Sequence, residues 1–307
     1  MTPCLRAGLV GFGKIARDAH LPAIDQTDGI ELVAVASPNA NAGGVPNYPD
    51  LASMLAAEKL DAVILCQPPQ ARFEAAALAL EAGKHVFLEK PPGSTVCEVE
   101  ALTDLAARNK VTLFASWHSR FASAVAPAKE WIASRTLESV AITWKEDVRH
   151  WHPGQAWIWE PGGFGVFDPG INALSILTHV VKDRVRLLSA EIETPTNREA
   201  PIAARLQMAA GKARIAAEFD WRQTGPQTWD ILFKADDGEL VLGAGGTRLS
   251  IDRVSQEIGF KTEYASMYRH FVDLVHTGRS DVDLSPLKLV ADALLCGRNY
   301  ATDPFEE

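Results

Sequence analysis

The chain has 307 residues, 47% hydrophobic and 22% charged, with a formal net charge of −9. That length suits two domains, each with a core of its own. An acidic chain without lysine or arginine runs argues against nucleic acid and anionic membrane as partners, while a helix N-terminus can still bind an anionic cofactor locally.

The four cysteines, Cys4, Cys66, Cys97 and Cys296, are scattered, and no acids or histidines stand at paired metal-ligand spacing, so no metal site is expected. Sporadic cysteine fits a reducing cytoplasm, the expected location. The first strand begins at Leu5, so no signal peptide is expected, and no apolar stretch is long enough to span a bilayer.

From residue 4 to about 117, short apolar runs alternate with helical patterns. The strand candidates are Leu5–Val10, Glu31–Ala36, Asp61–Cys66, Lys84–Leu88 and Val111–Ala115, with helices such as Ala71–Glu81 and Val96–Arg108 between them. This alternation predicts βαβ units and a parallel sheet. Thr95 and Glu98 have capping-box spacing. After Trp117 the pattern changes. A helix is predicted over Ala122–Ala133, then longer alternating strands over Leu137–Val148, Ile202–Met208, Ala213–Trp221, Gln227–Lys234 and Glu239–Leu242. Strands in series imply an antiparallel or mixed sheet. Two helices close the chain, the second with Ser285 at the N-cap, Pro286 at the first helical position and Gly297 as its stop.

Gly11-x-Gly13-x-x-Ala16 lies between the first strand and a helix. Gly11 permits the tight turn, Gly13 lets a pyrophosphate approach the backbone, and Ala16 allows close helix–strand packing. Lys14 and Ile15 open the helix whose N-terminus faces the phosphates. The alternative, a structural glycine turn, loses ground because βαβαβ units follow. At the end of the second strand an acid would hold a ribose 2′-hydroxyl, but Ser37 stands there, followed by Pro38 and Asn39, with no arginine beside it. Both NAD and NADP are therefore expected, with Lys14 or Arg17 as candidates to assist. Gln67-Pro68-Pro69 follows the third strand at the carboxyl edge of the sheet, where ligands bind in open α/β sheets. Lys90, in Glu89-Lys90-Pro91-Pro92, ends the fourth strand on that edge and is a proton-shuttle candidate; the alternative is a surface lysine.

The fold class is thus α/β: a Rossmann-type doubly wound parallel sheet, then an α+β domain with a large, mostly antiparallel sheet. Residues 1–118 form the dinucleotide-binding domain. Residues 119–307 form a substrate-binding and oligomerisation domain, whose last helix is a candidate to pack back on the first.

In the second part, Val140, Ile142, Trp144, Glu146 and Val148 share one strand face. The inward Glu146 needs a partner, either a sugar diol or a salt bridge near Lys145 or to Arg149. Asp168-Pro169 opens a helix, and Asp168 and Asn172 lie on one helical face, able to hold a hydroxyl and accept its proton. Asp before Pro is also a favoured N-cap. All eight tryptophans lie between Trp117 and Trp229. Trp151 and Trp229 are candidates to pack on a sugar ring, and Trp131 and Trp221 are read as core or interface. His152, in a Pro-Gly loop, and His118, after the fifth strand, are further substrate-binding candidates. Ile215 and Phe219 suggest a sheet face covered by another subunit, and hence a homodimer or higher homo-oligomer.

The pairing of Gly11-Phe12-Gly13-Lys14-Ile15-Ala16 with Glu89-Lys90-Pro91 resembles the glucose–fructose oxidoreductase/inositol dehydrogenase family (Gfo/Idh/MocA), and the resemblance covers the whole chain. It is closer still to the bacterial aldose 1-dehydrogenases of that family. The segments that carry this are Trp117-His118-Ser119-Arg120, Trp144-Lys145-Glu146-Asp147, Trp151-His152-Pro153-Gly154-Gln155 and Phe167-Asp168-Pro169-Gly170-Ile171-Asn172-Ala173. The resemblance implies that the last three line a sugar pocket and that Lys90 and Asp168 serve proton transfer. It implies oxidation of D-galactose, L-arabinose or D-fucose at C1 to the aldonolactone, with hydride passing to NAD or NADP. Many members carry histidine where Asn172 stands, which leaves Asp168 as the better base. Two alternatives stay open: an NAD-using glycosidase or epimerase-like enzyme, and a non-catalytic sugar or cofactor sensor.

Overall fold

The computed structural model describes residues 4–38 and 41–306, so Asn39 lies outside the described residues. The chain divides into two compact units, residues 1–118 with 262–284, and residues 119–261 with 285–307.

The first unit is built on six parallel strands, β1 (Leu5–Val10), β2 (Ile30–Ala36), β3 (Asn47–Tyr48), β4 (Ala62–Leu65), β5 (His85–Glu89) and β6 (Leu113–Ser116). Their order is β3-β2-β1-β4-β5-β6, the doubly wound arrangement whose switch point lies between β1 and β4. Both faces are covered, which is why these strands read as continuous apolar runs. On one face, Leu65, Val86 and Leu88 pack among residues of helices α2 (Leu51–Ala57), α3 (Arg72–Glu81) and α4 (Val96–Asn109), such as Met54, Leu80 and Leu102. Thr95 and Glu98 close the capping box at the start of α4. A further helix, α1 (residues 14–25), follows β1 and is wound as a π-turn over Ala16–His20.

Strand alternation turns Phe87 and Glu89 to the opposite face from Val86 and Leu88. There Phe87 stacks on Tyr268 at 4.9 Å and meets Phe114 and Phe271 edge-on. Tyr268 and Phe271 belong to a helix, Glu263–Thr277, far along the chain. The helix that returns to the first unit is therefore the penultimate one. The last helix, Ser285–Cys296, groups with the second unit.

The second unit contains α5 (Val125–Ala133), β7 (Leu137–Lys145), α6 (Val148–Trp151), α7 (Phe167–Val180), β8 (Val185–Pro195), β9 (Ala203–Ala210), β10 (Ala213–Asp220), β11 (Thr228–Ala235), β12 (Gly238–Gly243), β13 (Arg248–Ile251) and β14 (Val254–Ser255). The penultimate and last helices are α8 and α9, and β15 (Arg298–Thr302) ends the series. The nine strands run in the order β14-β13-β12-β11-β7-β10-β9-β8-β15. Pairing is antiparallel except for β7 with β10 and β8 with β15.

Helix α7 covers one face of this sheet. Phe167 meets Phe219 at 6.0 Å, and a Cβ at Gly170 would stand 3.1 Å from the Phe219 ring, so only glycine lets helix and strand approach this closely. Ile215 and Phe219 are fully buried on this inner face within the chain, so they do not mark a face covered by another subunit. Among the described residues, no helix is long and apolar enough to cross a membrane.

Candidate active site

The glycine-rich turn stands at the end of β1, beside the end of β4. Gly11 has φ +87°, and a Cβ there would lie 2.9 Å from the main-chain nitrogen of Gln67. Its glycine is required by the fold. Gly13 is exposed, and a Cβ on it would meet nothing within 4 Å. No crowding inside the chain explains that glycine, whereas close approach of a pyrophosphate to the backbone does. The turn and the start of α1 therefore fit a dinucleotide. Ile15 is exposed beside this turn. Lys14 is held by Asp18 at 2.5 Å, and Arg17 donates to the Phe12 carbonyl at 3.1 Å. Ser37 follows β2 and donates its main-chain N–H to Tyr48 O at 2.9 Å, leaving a half-buried hydroxyl where the ribose acid would stand.

Two further turns leave the same carboxyl edge, Gln67-Pro68 after β4 and Glu89-Lys90-Pro91 after β5. Pro68 is exposed, while Gln67 and Lys90 are half-buried. The Glu89 side chain is 3% exposed, and its carboxylate accepts from Tyr264 Oη at 2.6 Å, from His20 Nε2 at 3.3 Å and from the Lys90 main-chain N–H. Burial alone would raise this carboxyl. The His20 hydrogen bond and the positive fields of His20, His118 and Lys90 outweigh it and hold the group down at about 2. His20 Nδ1 lies 2.7 Å from Tyr268 Oη. Burial, with Glu89 nearby, pushes both tyrosine hydroxyls up, so both remain protonated donors. His118, at the end of β6, pairs with Glu263 at 2.7 Å and stacks on Tyr264 at 5.5 Å.

His20, Tyr264 and Tyr268 escape the sequence reading. A signal exists: Ala16 and His20, like Tyr264 and Tyr268, are spaced by four and face one way from a helix. What they turn toward is decided by tertiary contacts 69, 175 and 248 residues apart in sequence.

In the second unit, Asp168 lies in the first turn of α7 and is 2% exposed. The helix N-cap is Val166, so Asp168 does not cap α7. Its Oδ2 faces His152 Nε2 at 3.5 Å. The His152 ring lies 5.4 Å from that of Trp221. Trp221 is fully buried and donates its indole N–H to Glu146 Oε1 at 3.2 Å, while Trp229 donates to Glu146 Oε2 at 2.8 Å. Glu146 points inward as the strand parity requires, and two indoles hold its carboxylate. Of the cations near it in sequence, Arg149 pairs with Asp147 and Lys145 with Glu218. Trp229 also stacks on Trp144 and lies 5.1 Å from Trp151. Trp131 sits apart, under the Arg135 guanidinium. Asn172 is one turn along α7 from Asp168 and is half-buried. The structure thus brings Asp168, His152, Glu146, Trp151 and Trp229 into one acidic, aromatic cluster within this unit.

A glycine cradle at the switch point of a doubly wound sheet defines a dinucleotide-binding oxidoreductase fold. Residues 5–116 match the model of the oxidoreductase family with the NAD-binding Rossmann fold. The chain belongs to this Gfo/Idh/MocA family and takes NAD or NADP as cofactor. It is 45% identical over 303 residues to galactose 1-dehydrogenase of Pseudomonas fluorescens, covering 98% of each chain. It superposes with a TM-score of 0.95 on the crystal structure of a D-galactose-1-dehydrogenase protein from Rhizobium etli, at 51% identity, covering 100% of this chain and 99% of that one. A 3-ketoreductase from Actinomadura kijaniata, crystallised with TDP-benzene and NADP, shares the fold at TM-score 0.84 and 18% identity, with 97% and 99% of the two chains covered.

Two expectations follow. Gly13→Ala should weaken cofactor binding about tenfold or more while moving the melting temperature by less than about 2 °C. Gly11→Ala should instead destabilise the fold by about 1–2 kcal/mol or more. Fluorescence titration with cofactor and thermal melts of both variants check this, and wild-type affinity in Gly13→Ala refutes the cradle. For Glu89, a lowered carboxyl contributes stability that is fully present above its ordinary value of 4.5 and is lost as pH falls toward about 2. Glu89→Gln should therefore be less stable than wild type at pH 7, and the difference should shrink below pH of about 4.5. Urea unfolding across pH measures it; a difference independent of pH contradicts the assignment.

Proposed function

We propose that the chain is an NAD(P)-dependent aldose 1-dehydrogenase acting on galactose-configured pyranoses, D-galactose, L-arabinose and D-fucose. The observation that carries this reading is the likeness to a galactose 1-dehydrogenase along nearly the whole of both chains. The chemistry of the side chains agrees with it. Oxidation of the anomeric carbon removes a hydride from C1 and a proton from its hydroxyl, leaving the aldonolactone. NAD or NADP held at the Gly11–Ala16 turn would supply the hydride acceptor.

The proton goes to Asp168 or Lys90. Asp168 is buried beside His152, which orients it and lies next to it as a way out toward solvent. Glu146 is held by two indole N–H groups, and its oxygens can also accept from sugar hydroxyls. Trp151 and Trp229 offer faces for the C–H side of the ring. Asn172, His152 and His118 are assigned to hydroxyl contacts. L-Arabinopyranose has the galactose ring without C6, a difference worth only about 1–3 kcal/mol in a pocket, so the substrates overlap.

A homodimer is part of the reading. The sheet face opposite α7 presents small and polar side chains, Ser139, Ala141, Gln207, Arg214, Ala216 and Lys234, with Leu232 among them. This face, in place of the inner one, is the surface for a second copy.

Lys90→Ala and Asp168→Ala should each lower kcat roughly a hundredfold or more, the usual scale for general acid–base groups. Asn172→Ala should mainly raise the sugar KM. Absorbance of NAD(P)H in a panel of aldoses reads both. The absence of net cofactor reduction would favour a cofactor-retaining glycosidase or epimerase. Both cofactors should support turnover, because Ser37 neither holds a 2′-hydroxyl as an acid would nor repels a phosphate. A preference beyond about a thousandfold in kcat/KM, about 4 kcal/mol, refutes dual use. Light scattering should give the dimer mass at micromolar concentration, shifted toward the monomer by Ala216→Arg. A monomeric wild type overturns the assembly.

A further inference from the structure

Arg72 stands where elementary electrostatics disfavours a cation. It is the first residue of α3, at the positive end of the helix, and is 2% exposed. Burying a guanidinium is costly unless its N–H groups are satisfied. Here Nη1 donates to the main-chain oxygens of Glu89 and Pro91, and Nη2 donates to that of Gln67. These carbonyls belong to the two turns that leave β4 and β5 at the carboxyl edge. A planar, forked cation can span two turns; a lysine ammonium is a point charge and cannot hold both in one geometry. The residues it grips flank Lys90 on both sides. From the other direction, the Glu89 side chain is fixed by Tyr264, by His20 and by the N–H of Lys90 itself.

We propose that Arg72 is a positioning residue for Lys90. Its guanidinium locks the main chain on either side of residue 90 to the Gln67-Pro68 turn, so that the ammonium is presented at one place. This rests on the reading of Lys90 as an acid–base group. Small misplacements of a reacting group cost large factors in rate while leaving binding nearly intact.

The test is a double-variant cycle in the full-length chain, with Arg72→Lys, Lys90→Ala and the two combined. It measures kcat, KM for sugar, cofactor affinity and the pH profile of kcat. Arg72→Lys is expected to lower kcat about tenfold or more, shift the pH profile and change cofactor affinity less than about threefold. In the Lys90→Ala background the same change should have no further effect on kcat, because residues acting through one another are not additive. A wild-type kcat in Arg72→Lys, or an equal loss in both backgrounds, overturns the proposal and makes the clamp structural. If Lys90→Ala alone keeps wild-type kcat, the acid–base reading of Lys90 fails first and the positioning role falls with it. Should Arg72→Lys not fold, Arg72→Gln, which keeps amide donors, is read in the same way; failure of both to fold also overturns it.

Discussion

A carboxylate with almost no contact with water must be surrounded by hydrogen-bond donors, and Glu89 sets that requirement at the heart of the first unit. Local sequence cannot meet it. The neighbouring peptide supplies one N–H, and the rest come from His20 on α1 and Tyr264 on α8. The first unit therefore takes in α8, which begins only at Glu263 although β6 ends at Ser116, and Phe87 and Phe114 gain the apolar cover of Tyr268 and Phe271 from the same helix. One polar demand and one apolar demand on the same sheet face are answered by one element. Arg72 meets a complementary need on the main chain of that turn, supplying N–H groups to carbonyls beyond the strand ends.

The second unit handles its acids by related means. Glu146 is held by two neutral indole donors, and Asp168 has an imidazole beside it. Indole N–H groups fix a carboxylate in place without cancelling its charge. Aromatic density is thus read best as scaffolding for acids as well as packing surface, which explains why Trp221 is at once fully buried and polar in its role.

Much of this architecture was legible. The parallel strands of the first unit are dry on both faces and so appear as unbroken apolar runs. The glycine turn and the capping box are local patterns and need no tertiary knowledge. Strand parity alone turned Glu146 inward. Its donors, 75 and 83 residues away, left no trace in that pattern. The long strand β8 went unseen because a register shift between Leu187 and Ser189 breaks its alternation. The two-residue strands β3 and β14 are too short to carry any period. Asp168-Pro169 had the residue order of a helix cap, yet the helix begins earlier and the aspartate is taken into its first turn beside His152.

The interrupted path of the chain through the first unit has a consequence for synthesis. When residues 1–118 leave the ribosome, the tyrosines that cover Glu89 and Phe87 have not been made. At translation rates of roughly 5–20 residues per second, the intervening stretch takes on the order of 7–30 s to appear. Throughout that interval the nascent sheet has one apolar face open and a carboxylate still hydrated. The second unit, whose strand β7 itself waits for β10 to pair in parallel, is begun in the meantime and completed only by α9 and β15, which follow α8. The two units are thus interleaved in synthesis: the first closes only when α8 emerges, and the second only when α9 and β15 follow it.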